Sequence, residues 1–378
     1  MVRIAVIGLG SMGKRYADMI YAGLIDGLVL THIVTRSEAN QAYAYEHYEN
    51  VKVVGTTKEL YEDNEFDAVL IVTPHKIHPE QMIEAAEHGK HILCDKPVGI
   101  DIGSVQAAEK VIKQHGVVYA VMFHQRLYPK YQYIKNQLNS GKYGKLHRVS
   151  VVNTRYFRTV NYHKSSSWRS SFKEEGGGAL INQAQHLLDI WYYMFGMPNE
   201  LYANIPFGKY NDFEVDDEVM LLMNYDNGMS GQLLLTTGEA ISEERLEIVG
   251  DLGKLVMVED EIIEYFHESS SEYRKTTKGF SNEYLDIKKC ETSFSSSHGN
   301  DNVSIIPSMA PYVGMLENFT KAITENVPLV TPGVEGYYSL ELANAAYLSA
   351  VNKKVVTFPL ESKEFDDCLK VLQKREEK

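Results

Sequence analysis

With 378 residues, 44% of them hydrophobic and 24% charged, the chain is too long for one ordinary core and suits two globular domains. A net charge of −13 argues against nucleic-acid or acidic-membrane partners, although an anionic cofactor can still be held by local N–H groups and a few basic side chains. No apolar run approaches the roughly eighteen residues of a membrane span.

From the first residues the text alternates strands with helices. Residues 2–7 form a β-branched apolar run, 14–22 a helix, 28–34 a strand, 40–48 a helix and 66–73 a strongly apolar strand. A helix over 79–89, a strand over 91–95, a helix over 104–116 and a strand over 117–123 continue the series. Strands that are apolar throughout and alternate with helices predict a parallel sheet covered on both faces, a Rossmann-type doubly wound α/β domain over 1–124. Its N-terminal residues run straight into a strand, which leaves no room for a signal peptide.

The pattern changes beyond 124. A helix (128–141) leads to a long strand (146–157) and a helical stretch (179–195). The segment 218–239 places Asp226-Asn227-Gly228 between two strands, a reverse-turn signal, and 245–260 repeats the idea around Gly250 and Gly253. Residues 125–378 therefore read as an α+β domain with an open, mostly antiparallel sheet. The polar, Ser-rich 267–305 reads as a surface excursion, and helices over 312–326 and 335–352 close the chain. Cys94, Cys290 and Cys368 show neither C-x-x-C pairing nor metal spacing, so free thiols in a reducing cytoplasm are expected, and no metal site.

Gly8, Gly10 and Gly13 have G-x-G-x-x-G spacing between a strand and a helix. In that setting the first glycine allows the tight turn, the second lets a pyrophosphate approach the backbone, and the third lets helix and strand pack closely. Ser11 and Met12 lie within the turn and would offer N–H groups at the helix start. The second strand ends in Val34-Thr35-Arg36-Ser37 without the acid that would bind the adenosine ribose of NAD. Thr35 and Arg36 there suit a 2′-phosphate, so NADP is favoured and NAD stays open.

Two further stretches fall at carboxyl ends of parallel strands, where open α/β sheets bind ligands. They are Thr73-Pro74-His75-Lys76-Ile77-His78 and Cys94-Asp95-Lys96-Pro97. Thr73, Pro74, His75, His78, Asp95 and Lys96 are accordingly candidate cofactor contacts. A lysine close to a cationic nicotinamide would have its ammonium form disfavoured and could share or accept a substrate proton.

These motifs, with "FHQRLYPKY", "SSWRSSFKEEGGGALINQAQHLLD" and "YDNG" in that order, resemble the glucose–fructose oxidoreductase / inositol dehydrogenase (Gfo/Idh/MocA) family across nearly the whole chain. The resemblance implies that Lys96 sits beside the nicotinamide and the reacting hydroxyl, with Asp95 in place of the family's glutamate. It implies His186 as a general acid/base, and Asn182 where the family carries an aspartate. Asparagine can orient an imidazole or a hydroxyl but cannot stabilise the imidazolium by charge, so the base is Lys96 or His186. Trp168-Arg169 matches a Trp-Arg pair near the cofactor, and Arg126 and Pro129 match a junction motif in which the arginine could be structural. The family oxidises a ring hydroxyl of a sugar or cyclitol, or reduces the ketone, with NAD or NADP. The asparagine variant looks like members acting on glycosides and nucleotide sugars at C3.

Over 176–194 a helix would place Asn182, His186 and Asp189/Ile190 at i, i+4 and i+7/8, with Asn182 and His186 on one face. Arg155, Tyr156, Arg158, Tyr162, His163, Trp168 and Arg169 come from 153–169, and His124 from the fifth strand's end. Aromatic faces and forked donors of this kind suit a polyhydroxylated ring, although alternate residues of such a strand are also ordinary packing. The expected activity is an NAD(P)-dependent dehydrogenase or reductase acting on CH–OH groups. Two alternatives are a cofactor-retaining enzyme that cleaves glycosides through transient C3 oxidation, and a non-catalytic NAD(P) sensor. An open sheet would expose strands such as 231–238, so a homodimer or homotetramer is expected.

Overall fold

The computed structural model describes residues 1–63, 65–294 and 306–377. In chain order the first part runs β1 (Val2–Ile7), α1 (Ser11–Tyr21), β2 (Leu28–Val34), α2 (Glu38–His47), β3 (Lys52–Val54), α3 (Thr57–Glu62), β4 (Ala68–Ile71), α4 (His78–Glu87), β5 (His91–Cys94), α5 (Ile102–His115) and β6 (Tyr119–Val121). There follow α6 (Pro129–Asn139), β7 (Leu146–Asn153), α7 (Val160–His163), α8 (Ala179–Asn182), α9 (Gln185–Phe195), β8 (Glu200–Asn204), β9 (Glu218–Asn224) and β10 (Ser230–Thr236). The chain closes with β11 (Glu244–Gly250), β12 (Gly253–Val258), β13 (Glu261–Phe266), α10 (Ser270–Thr276), β14 (Lys288–Ser293), α11 (Ile306–Glu325), α12 (Gly336–Asn352), β15 (Val356–Thr357) and α13 (Ser362–Gln373).

Two compact units result. The first comprises Met1–Leu127, Glu174–Gly176 and Ser304–Glu341, the second the remainder. In the first, six parallel strands lie in the order β3-β2-β1-β4-β5-β6. The order reverses between β1 and β4, the point where such sheets hold their ligands. β4 is buried along its whole length (Ala68–Ile71), as a strand covered on both faces must be. Helix ends follow side-chain chemistry: Asp101 accepts from the Ser104 N–H at 2.7 Å to start α5, and Gly116 at φ 65° ends it. Helix α11 belongs here too, because Met315, Leu316 and Phe319 share one core with Ile4, Tyr16 and Leu30. The apolar register of this helix gives no address in the sequence, only a buried face.

In the second unit nine strands lie in the order β14-β13-β12-β11-β7-β10-β9-β8-β15. β7 and β10 pair in parallel and all other neighbours antiparallel. The expected Asp226-Asn227-Gly228 turn joins β9 to β10, with Gly228 at φ 86°. One face buries Val149, Leu221, Leu233, Leu246 and Ile248. Gly231 lets α9 approach that face, since a Cβ there would lie 2.5 Å from Trp191. The other face is open: Tyr202, Leu222, Gln232 and Ser150 form one cross-strand row, and Leu222 is 57% exposed.

Three expectations change. The strand begun at 146 ends at Asn153 instead of 157, and Thr154 leaves by donating its N–H to the Glu243 carbonyl at 2.8 Å. The stretch 267–305 is not all loop. Ser269 caps α10, and β14 pairs along β13 from Lys288 to Ser293; positions 295–305 of that stretch lie outside the described residues. The long helix over 176–194 is two helices, with consequences described below.

Candidate active site

Each glycine of the first turn has a different neighbourhood. A Cβ on Gly8, whose φ is 99°, would lie 2.6 Å from the Val72 carbonyl oxygen, and one on Gly13 would lie 2.0 Å from the Gly8 oxygen. Gly10 has nothing within 4 Å of the same position. Gly8 and Gly13 are therefore glycine because the protein fills the space, and Gly10 leaves space unfilled. Gly10 also caps α1, and no side chain bonds to the N–H groups of Ser11, Met12 and Gly13 as a cap. Amides left open at a helix start, beside a bare backbone, form an anion-binding cradle. The residues present fit a dinucleotide pyrophosphate.

At the end of β2, Thr35 is buried and donates its N–H to the Val54 carbonyl at 3.0 Å. Arg36 is exposed, and Ser37 caps α2 by accepting from the Asn40 N–H at 3.4 Å.

At the ends of β4, β5 and β6 lie Thr73, Asp95-Lys96 and His124. Thr73 donates to Gln81 at 2.6 Å, which fixes its hydroxyl. Lys96 is half-buried and its backbone N–H donates to the Asp95 carboxylate at 2.9 Å. Burial pushes the Asp95 carboxyl up to about 6, with the Lys96 ammonium opposing that rise. Burial, aided by the same ammonium, pushes His124 down to about 3, so the ring is neutral where it stacks 3.9 Å from Tyr312. Lys96 thus has the Asp95 carboxyl and the neutral His124 imidazole for neighbours.

His78 lies with its ring between two backbone carbonyls. It is 1% exposed, and its ring nitrogens lie 2.7 Å from both the Pro97 and Thr73 carbonyls. Burial lowers its pKa, and the single N–H of a neutral ring donates to one of the two carbonyls. His75 is also buried, with Nδ1 3.3 Å from the Glu175 carbonyl.

In the second unit the three-glycine run gives way to a broken helix. Gly178 precedes α8, and Asp216 accepts from the backbone N–H groups of Gly178 at 2.9 Å and Leu180 at 2.6 Å. α8 stops at Asn182, and Ala184 donates its N–H to Ala179 at 2.8 Å, a five-residue step. Asn182 and His186 consequently belong to different helices and do not share the regular i, i+4 face. What gathers this region is a phenol: Arg169 Nη1, Gln183 Nε2 and Asn182 Nδ2 all donate to the Tyr162 oxygen, at 2.8, 3.0 and 3.4 Å. Arg169 also stacks 4.8 Å from the Trp168 ring.

Arg155 lies among carboxylates. Its Nη1 lies 2.5 Å from Glu244, which also takes Lys130 at 2.7 Å, and its Nε lies 3.7 Å from Glu259. It belongs to this ion-pair network. Arg126 is 2% exposed and paired with Glu335, the structural alternative left open for it. Sequence reasoning missed Gln183, Asp216 and Tyr312. The polar run Asn182-Gln183-Ala184-Gln185-His186 inside an apolar helix carried a signal for the first; no local pattern announces the other two.

A parallel sheet in this order, with an open glycine turn at its reversal point, is a dinucleotide-binding Rossmann unit. Residues 2–123 match the oxidoreductase family with an NAD-binding Rossmann fold, and residues 131–256 match the GFO/IDH/MocA C-terminal domain. The chain belongs to the GFO/IDH/MocA family and is an NAD(P)-dependent oxidoreductase. It is similar to scyllo-inositol 2-dehydrogenase (NAD(+)) of Bacillus subtilis (strain 168), 27% identical over 269 residues, covering 67% of this chain and 73% of that protein. Levoglucosan dehydrogenase of Pseudarthrobacter phenanthrenivorans is 26% identical over 268 residues, 62% of this chain and 67% of its own. Among solved structures, levoglucosan dehydrogenase in complex with NADH and L-sorbose has a TM-score of 0.78 at 22% identity, covering 95% of this chain and 99% of that one. The WlbA dehydrogenase from Bordetella pertussis, in complex with NADH and UDP-GlcNAcA, gives 0.77 at 21%, again over 95% and 99%. At such identities the likeness shows the fold. Among the described residues no helix is long and apolar enough to cross a membrane.

Proposed function

We propose that the chain moves a hydride between NADP or NAD and a ring carbinol or ketone of a sugar, glycoside or cyclitol. The bound nicotinamide supplies the hydride acceptor or donor. The observation that carries this reading is the strand-end constellation of the first unit, where unfilled space at Gly10 accompanies Lys96 beside the Asp95 carboxyl and the neutral His124 imidazole. The polyol rings named for the inositol and levoglucosan relatives support the substrate class. Gly8, Gly10, Ser11, Met12 and Gly13 would hold the pyrophosphate, and Thr35 and Arg36 the adenosine end. Thr73, Pro74, Asp95, Trp168 and Arg169 would line the rest.

The carbinol proton goes to Lys96 Nζ or to the His186 imidazole, with Asn182 orienting the hydroxyl. Relatives of both cofactor types occur; Arg36 with no acid from 34 to 37 favours NADP. The free thiols Cys94, Cys290 and Cys368 fit a reducing, cytoplasmic setting. The exposed row through Tyr202 and Leu222 fits burial in a homodimer or homotetramer, and light scattering should show no monomer at micromolar concentration.

The test is a panel of sugars, cyclitols and glycosides with NADP⁺ and NAD⁺, following reduced nicotinamide. On the best substrate, Lys96→Met should lower turnover at least about a hundredfold, and comparison with His186→Asn identifies the main proton acceptor. Near-normal turnover in Lys96→Met removes Lys96 from the reaction.

A further inference from the structure

The second unit holds a guanidinium that no acid neutralises. Arg158 Cζ lies 4.4 Å from the Tyr162 ring centroid and 5.7 Å from that of Tyr156. Its Nε is buried without a hydrogen-bond partner. Among the described residues it forms no ion pair, whereas Arg155, three positions earlier, pairs with Glu244. Arg169 places a second guanidinium 4.6 Å from the same Tyr162 ring.

The acid beside His163 accepts from backbone groups instead. Asp217 is buried and acts electrostatically on His163. Its Oδ1 accepts from the Lys209 N–H at 3.0 Å, and its Oδ2 accepts from the N–H groups of Tyr210 at 2.8 Å and Asn211 at 3.0 Å. His163 adds a second unanswered atom: its Nδ1 lies 2.6 Å from Ser170 Oγ, and its Nε2 is buried without a partner. Burial lowers the pKa of that imidazole, so it faces a ligand as a neutral hydrogen-bonding group.

A buried donor left unmade costs about 1–3 kcal/mol, and native structures keep such donors where a ligand completes them. Two aromatic rings hold the guanidinium plane, which leaves its forked N–H edge for a planar or tetrahedral anion. We infer that the substrate carries an anionic group, a carboxylate or a phosphate, and that Arg158 with His163 receives it. A neutral polyol hydroxyl can also accept from these atoms, but it leaves the guanidinium charge without a counter-ion. This rests on the oxidoreductase reading only in taking the ligand to be that enzyme's substrate.

Calorimetry decides it, on the enzyme with and without saturating NADP⁺. The probes are D-glucose, D-glucuronate, D-glucose 6-phosphate and inorganic phosphate. At least one anionic probe should bind at least ten times more tightly than glucose. Arg158→Gln should bring that ratio to within about twofold, and Arg158→Lys, which keeps the charge without the fork, should give an intermediate loss. The preferred probe, uronate or phosphate ester, identifies which anion the site takes. Anions that bind no better than glucose, or a preference that survives in both variants, overturn the inference. If Arg158→Gln does not fold, as judged by circular dichroism, the lysine variant carries the comparison alone. Absence of heat with NADP⁺ and NAD⁺ would instead strike the oxidoreductase reading, because the titrations without dinucleotide still decide for or against the anion.

Discussion

Gly10 in one unit and Gly177 and Gly178 in the other are glycine for opposite reasons. In the second, each missing side chain is replaced by protein: a Cβ on Gly177 would lie 2.0 Å from the Tyr347 hydroxyl, and one on Gly178 2.1 Å from the Asp216 carbonyl. In the first, Gly10 faces nothing within 4 Å. Gly10 leaves its side of the turn open; Gly177 and Gly178 form a packing joint that seats α8 on Asp216. Residue type alone does not separate the two, and the volume around each Cβ does.

The largest effect should come from filling the packed cluster. Gly177 sits at φ 148°, where an L side chain is strained, so Gly177→Ala adds backbone strain to a collision. It should lower stability by at least about 3 kcal/mol, read by urea denaturation, and an unchanged midpoint would refute the packing account. The buried acids provide a second contrast of the same kind. Asp216 accepts from Tyr347 and two backbone N–H groups, whereas Glu109 Oε1 has no partner and burial pushes its carboxyl up to about 7. Because the folded-state pKa is raised from 4.5, ionisation penalises the folded protein as pH climbs from there through 7. Glu109→Gln removes that penalty. It should stabilise by at most about 3 kcal/mol at pH 8, with the gain fading to nothing near pH 4. A gain independent of pH would contradict the cause assigned. The smallest change in stability should come from Gly10→Ala: a melting temperature within about 2 °C of the parent, but at least tenfold weaker dinucleotide binding, about 1.4 kcal/mol.

The same contrast explains what could be read in the sequence. The Rossmann half was legible because its information is local: apolar strand runs, glycine spacing and the Asp-Lys-Pro end of β5 lie within short stretches. The carbonyl contacts of His78 are not legible, because a histidine beside a strand end looks alike whether it meets a cofactor or two carbonyls. In the second unit the hub at Tyr162 joins residues from 162 to 183, and the anchor of α8 comes from Asp216. Periodicity predicted an unbroken helix there because it records apolar spacing, and the break at Asn182 leaves that spacing nearly intact. Arg155 and Arg158 are indistinguishable as text; only the positions of Glu244 and Glu259 separate them.

The central claim is that the first unit binds a pyridine dinucleotide at the open turn, with its adenosine end read by Arg36. Isothermal titration of the purified chain with NADP⁺ and NAD⁺ measures this directly, in parent and Arg36→Ala. The account predicts saturable heat at one dinucleotide per chain, and a loss in Arg36→Ala that is at least about tenfold larger for NADP⁺ than for NAD⁺. Equal losses would remove Arg36 as the reader of the 2′-phosphate, and no heat with either dinucleotide would contradict the account itself.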